Sequence, residues 1–157
     1  MRKYTLHVLV LISILCFACK KDSNNSANEL VGQWLLPATS NNFAPHTSSE
    51  LKFDNNGILT MSSKRFDATT GQILGFTSKF VANYRIKNGE LVEIYNVKRY
   101  SPADNTPYAD EKNLILHTDS PDQSFTYKLN EKRTTLTWTV VCPINACCIG
   151  AQIYIKK

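Results

Sequence analysis

The chain has few of the side chains from which catalytic and metal centres are built: three histidines and five cysteines in 157 residues. Neither His46 nor His117 lies in a metal-ligand spacing such as His-x-x-x-His. The adjacent Cys147 and Cys148 are awkward ligands for zinc, which takes about four spaced N or S donors. Beyond Cys19 the chain has no Cys-x-x-Cys redox pair, and a Gly-x-Ser-x-Gly elbow, a Walker loop and a zincin motif are missing throughout. Asp104, Asp110 and Glu111 lack the compact ladder of a calcium loop and read as solvated charge. No enzymatic activity, bound metal or cofactor is therefore expected. Long apolar runs are missing too, because the longest, residues 6–17 with His7 and Ser13 inside it, is too short for a bilayer core that needs roughly 20 residues. Basic residues occur only singly or in scattered pairs, so a net charge of +5 does not form the stripe that nucleic acid requires. Hydrophobic content of 43% against 20% charged excludes wholesale disorder and leaves room for one globular domain.

What is present begins with an export signal. Met1-Arg2-Lys3 is a positive start, Leu6 to Phe17 an apolar stretch, and Ala18 a small residue before Cys19. Ala18-Cys19 followed by Lys20-Lys21-Asp22 resembles the cleavage box of bacterial lipoproteins, with Cys16 where that box prefers Leu. The resemblance implies that residues 1–18 are removed and that the Cys19 thiol carries lipid. Each methylene buried in a bilayer adds about 0.8 kcal/mol, so several acyl chains hold a protein on a membrane. Residues 19–28 then form a lipidated tether, polar and aperiodic after the cysteine. The expected location is the cell envelope, at the outer membrane, with the membrane itself as a partner.

Beyond the tether, alternation with a period of two replaces any helical period. Leu136, Trp138 and Val140 share one face while Thr135, Thr137 and Thr139 share the other. Phe125, Tyr127 and Leu129 alternate in the same way, as do Phe80, Ala82, Tyr84 and Ile86. Such runs mark antiparallel strands with one buried face. They predict strands near 31–36, 49–54, 57–63, 78–87, 90–97, 112–117, 124–130, 134–141 and 150–156. Asn55-Asn56-Gly57 and Lys87-Asn88-Gly89 supply the positive φ that tight hairpins need. Residues 37–48, 64–77 and 98–111 are longer links, although 64–77 can instead extend its flanking strands around Thr70-Gly71. Long and tight links alternate, which in a meander puts the long ones at one end. The expectation is an all-β, antiparallel up-and-down barrel of eight or nine strands, filling residues 29–157.

Glu29-Leu30-Val31-Gly32-Gln33-Trp34 resembles the opening of lipocalin-like domains, in which a Gly-x-Trp on the first strand plugs the closed end of the barrel. Leu51-Lys52-Phe53-Asp54-Asn55-Asn56-Gly57, Tyr84-Arg85-Ile86-Lys87-Asn88-Gly89 and Leu136-Thr137-Trp138 continue the likeness to lipocalin-like lipoproteins of Gram-negative bacteria. Thr118-Asp119-Ser120 stands where typical lipocalins carry Thr-Asp-Tyr, and the last strand offers Lys156 and Lys157 in place of an arginine opposite Trp34. The resemblance implies a binding protein for a small apolar or amphipathic molecule, contacted by the loop aromatics Phe43, Phe66, Phe76, Tyr100 and Tyr108. The alternative is a non-enzymatic protein–protein module of the envelope, its barrel filled by Phe53, Phe80, Tyr84, Phe125, Tyr127 and Trp138.

An exported location favours disulfides. With Cys19 lipidated, Cys142, Cys147 and Cys148 can form one internal pair and leave one thiol over. Cys142 continues the face of Leu136, Trp138 and Val140. Ile153 and Ile155 place the odd positions of the last strand inward, and Cys147 shares that parity, so Cys142–Cys147 is the preferred pair, whereas a bulge at Gly150 shifts the choice to Cys148. Replacing Cys19 with Ser is expected to move the protein from the membrane fraction to the soluble one, and a variant that stays with the membrane overturns the anchor.

Overall fold

The computed structural model describes residues 29–37, 46–117, 121–142 and 150–157. The signal, the tether, Cys19, Phe43, Cys147 and Cys148 lie outside them. Nine strands follow the chain: β1 (Gly32–Leu36), β2 (Thr47–Phe53), β3 (Ile58–Phe66), β4 (Ile73–Lys87), β5 (Leu91–Ser101), β6 (Ile115–His117), β7 (Gln123–Leu129), β8 (Thr135–Val140) and β9 (Gln152–Lys156). Every pairing is antiparallel, and the ring β1-β2-β3-β4-β5-β7-β8-β9 closes when β9 returns to β1. The barrel thus has eight positions, and β6 is an extra strand. Arg99 of β5 pairs with His117 and Ile94 with Gln123, so β6 and β7 lie along the same side of β5, opposite β4.

Turn chemistry sets the two ends. At the β4–β5 hairpin, Asn88 and Gly89 both take positive φ, 52° and 75°, as a tight Asn-Gly turn requires. At β2–β3 the Asp54 carboxylate accepts hydrogen bonds from the Asn56 and Ile58 amides, and only Gly57 is left-handed. At β7–β8 the Asn130 side chain accepts from the amides of Thr134 and Thr135. These three tight turns share one end of the barrel. Links 37–46, 67–72, 102–114 and 141–151 share the other.

The apolar core fills the half nearest the tight turns. Trp34 is fully buried and donates its indole Nε1–H to the Leu30 carbonyl oxygen at 2.8 Å, and Leu30 is itself completely covered. Lys156 lies over the Trp34 ring, 5.2 Å from its centroid. Arg133, held at positive φ in the β7–β8 turn, pairs with Glu29 at 2.9 Å and ties the entering chain to that end. Phe53 meets Tyr84 and Trp138 edge-on, and Phe125 stacks on Trp138 at 4.6 Å. Such offset and edge contacts suit the ring quadrupole.

Two expectations change. Ile153 and Ile155 face outward, 57% and 51% exposed, while Tyr154 between them is buried. Tyr154 stands opposite Leu136, so it is the even positions of β9 that share the core face. The parity argument that preferred Cys147 over Cys148 therefore loses its basis. Residues 112–117 do not form one strand either: a 3-10 turn at Glu111–Asn113 precedes the short β6. The 64–77 link is almost wholly strand, because β3 and β4 extend to a short turn in which the Asp67 carboxylate accepts from the Thr69 and Thr70 amides. Trp34→Ala is expected to destabilise the fold by about 3–5 kcal/mol, and Trp34→Phe by about 1–2 kcal/mol for the lost indole bond. Urea unfolding measures both, and a Trp34→Phe variant as stable as the parent would deny the Leu30 bond any role.

Candidate functional site

The strand registers define rungs across the inner face. Trp34, Leu51, Met61 and Phe80 stand opposite one another in turn across β1–β4. The next rung towards the long links is Leu36, Ser49, Ser63 and Ser78. Large apolar side chains thus give way to small polar ones, and the Ser49 and Ser63 hydroxyls are 2.9 Å apart. The buried core residues stop at this boundary: β3 contributes only Leu59, and β4 only Ala82 and Tyr84. Large inward side chains fill a small barrel, whereas small ones leave room. The open end, bordered by the long links, is the candidate site.

Two bulges decide what faces this end. In β5 the register slips between Val81↔Lys98 and Asn83↔Tyr95, and Asn96 takes a φ of 54° there. Because one residue is inserted, alternation is inverted beyond it. Val97, Arg99 and Ser101 now face inward. The Arg99 guanidinium lies 5.3 Å from the centroid of the Phe80 ring, and His117 stands opposite Arg99 with its Nε2 at 2.7 Å from the Ser101 hydroxyl. A second slip, between Ser63↔Ser78 and Lys64↔Phe76, turns Phe76 to the outer face, where Lys64 lies 5.1 Å above its ring. Arg65 keeps the inner face of β3, and its guanidinium is 5.7 Å from the Tyr108 ring.

The β5–β6 link is fastened to this wall. Phe76 and Ala109 exchange backbone hydrogen bonds of 2.8 and 3.0 Å, and Lys79 pairs with Glu111. Gly75 makes the approach possible. A Cβ there would lie 2.8 Å from the Ala109 carbonyl oxygen and 3.0 Å from the Tyr108 ring.

The expected ligand-contact residues thus divide. Tyr108 covers the inner-face Arg65, and Phe76 stands beside it on the outer face. Phe66 lines an outer cleft of about 520 Å3 with Leu35, Pro37 and Ile73. Tyr100 pairs with Lys79 on the outside. Phe43 lies outside the described residues. All four described aromatics sit at the open end, but they do not converge on one wall. Arg65 and Arg99 were not singled out in the sequence, and His117 was considered only as a metal ligand, because unbroken alternation from Val92 and Ile94 would turn Arg99 outward. The signal lay in Asn96, a residue that tolerates positive φ, inside a strand run.

A second cleft, of about 720 Å3, sits at the β5 bulge, where Val81, Asn83 and Lys98 of the outer face border it together with Val97, His117 and Asp122. On the outer wall near the tight turns, hydrogen bonds from Lys87 and Arg85 hold the Glu93 carboxyl below its ordinary pKa. Inside, burial pushes the Tyr154 phenol up to about 12. The Trp138 indole Nε1 and the Tyr127 hydroxyl are buried without a hydrogen-bond partner among the described residues. No group of three or more His, Cys, Asp or Glu among those residues is placed to hold a metal ion. Compared with known proteins, the chain matches no family model, no curated protein and no solved structure. Gly75→Ala is expected to detach the 108–109 segment from β4, which hydrogen exchange reads as lost protection at the Phe76 and Ala109 amides. Unchanged protection would mean that the contact adjusts at no cost.

Proposed function

We propose that the chain is a membrane-anchored, lipocalin-like lipoprotein of the cell envelope whose barrel holds a small apolar or amphipathic molecule. The observation that carries this reading is the uneven filling of the barrel. Aromatic and aliphatic side chains pack the half nearest the tight turns, and small serines and basic side chains occupy the inner face beyond. A site of this kind, an apolar floor with a few polar groups at its rim, is how proteins commonly hold small amphipathic ligands. The lipoprotein signal supplies the anchor at Cys19. On this reading the protein is not an enzyme and takes no cofactor. Cys142 forms the one internal disulfide, with Cys147 or Cys148.

A protein–protein module of the envelope is the second reading, and the outside of the barrel favours it. Ile153, Ile155 and Val141 are exposed by 57%, 51% and 46%, and Ile155 pairs with Leu35, which borders the outer apolar cleft. Apolar surface of this extent on a soluble domain commonly marks an interaction site. The two readings separate in native mass spectrometry of a soluble form beginning near Asn25, titrated with a panel of lipophiles. Retention of one lipophile at one-to-one stoichiometry, lost when Ser63 is enlarged to Phe and kept when Ile153 and Ile155 become Lys, supports the ligand reading. Failure to retain any lipophile overturns it.

A further inference from the structure

We infer that the molecule held by the barrel is an anionic amphiphile, its acyl or other apolar part on the core side and its carboxylate or phosphate at Arg99 and Arg65. This rests on the ligand-binding reading above and adds the sign of the head group.

The first ground is the distribution of charge between the two faces of the wall. The only acidic residues in the nine strands are Glu50 and Glu93, and both point outward. They are paired there, Glu50 with Lys64 and Glu93 with Arg85 and Lys87. The inner face carries the opposite set: Arg65, Arg99, His117 and, at the tight-turn end, Lys156. Among the described strand residues, no carboxylate shares that face. The remaining ion pairs, Lys79–Glu111 and Arg133–Glu29, lie on the outer wall and at the chain entry.

The second ground is what the inner cations touch. Arg99 rests on Phe80 and Arg65 on Tyr108. Neither guanidinium has a carboxylate partner among the described residues. Stacking on a ring leaves the planar edge of a guanidinium free to donate two parallel hydrogen bonds, the geometry that carboxylates and phosphates accept. Phe80 also belongs to the rung of Trp34, Leu51 and Met61, so Arg99 stands where the apolar floor begins. An amphiphile laid along the barrel axis therefore meets apolar side chains at one end and a cation at the other.

The test uses the full-length chain in lipid nanodiscs and three photoactivatable probes sharing one long acyl chain: a fatty acid, the matching fatty alcohol and a lysophosphatidate. Cross-linked peptides are mapped by mass spectrometry. The expected result is labelling around Met61, Phe80 and Val97, with the acid about tenfold above the alcohol. Arg65→Gln with Arg99→Gln brings the acid down to the level of the alcohol, while Arg99→Lys keeps the preference and shows that the barrel still folds. Lysophosphatidate above the acid assigns a phosphate head, and below it a carboxylate, and either supports the inference. Equal interior labelling by acid and alcohol overturns the head-group assignment and leaves the ligand reading standing. No interior labelling by any probe overturns both.

Discussion

Pairing of the first barrel strand with the last, Trp34 against Lys156 and Leu35 against Ile155, turns a curled sheet into a closed wall. The seam is short. Without it β1 and β9 would present two open edges, each a row of unpaired amides and carbonyls. Its reinforcement comes from side chains and flanking backbone: the Trp34 indole bonds the Leu30 carbonyl, Lys156 covers the ring, and the Lys157 amide donates to the Gln33 carbonyl at 3.0 Å. One tryptophan thus fills the barrel floor and fixes the closure. The core aromatics depend on that geometry, because Phe53, Phe125 and Trp138 meet only when the wall returns on itself.

Above the floor, the backbone decides the chemistry. A strand presents alternate residues to alternate faces, so one inserted residue exchanges the two sets. The slip at Asn96 places Arg99 inside and Lys98 outside, and the slip near Thr77 moves Phe76 to the outside and Gly75 to the inside. The slip near Thr77 lies beyond the densely packed half, whereas the slip at Asn96 stands opposite the small core residue Ala82, between Ile94 and Phe80.

The architecture was legible in the sequence because burial imposes its period on the residues. Leu136, Trp138 and Val140 can share a face only in a strand, and the Asn88-Gly89 dipeptide predicts the turn that it makes. The alternation of long and tight links likewise located the open end. The candidate site was less legible. An inserted residue leaves almost no trace in a pattern of period two, so Arg99 read as a surface cation. In β9 both Ile153-Ile155 and Tyr154 suit a buried face, and propensity alone favoured the pair of β-branched residues over the single tyrosine. The structure chooses Tyr154, whose ring reaches the core opposite Leu136 while its hydroxyl donates to the Gln152 side chain at 3.1 Å.

The entry of the chain at Glu29 and Leu30 lies beside the tight turns, at the opposite pole from the long links. Under the proposed lipid anchor, residues 20–28 span at most roughly 30 Å when fully extended, so the plugged pole would stay within that distance of the bilayer while the opposite end is free to turn away from it. A ligand of the proposed kind would then reach that end through water.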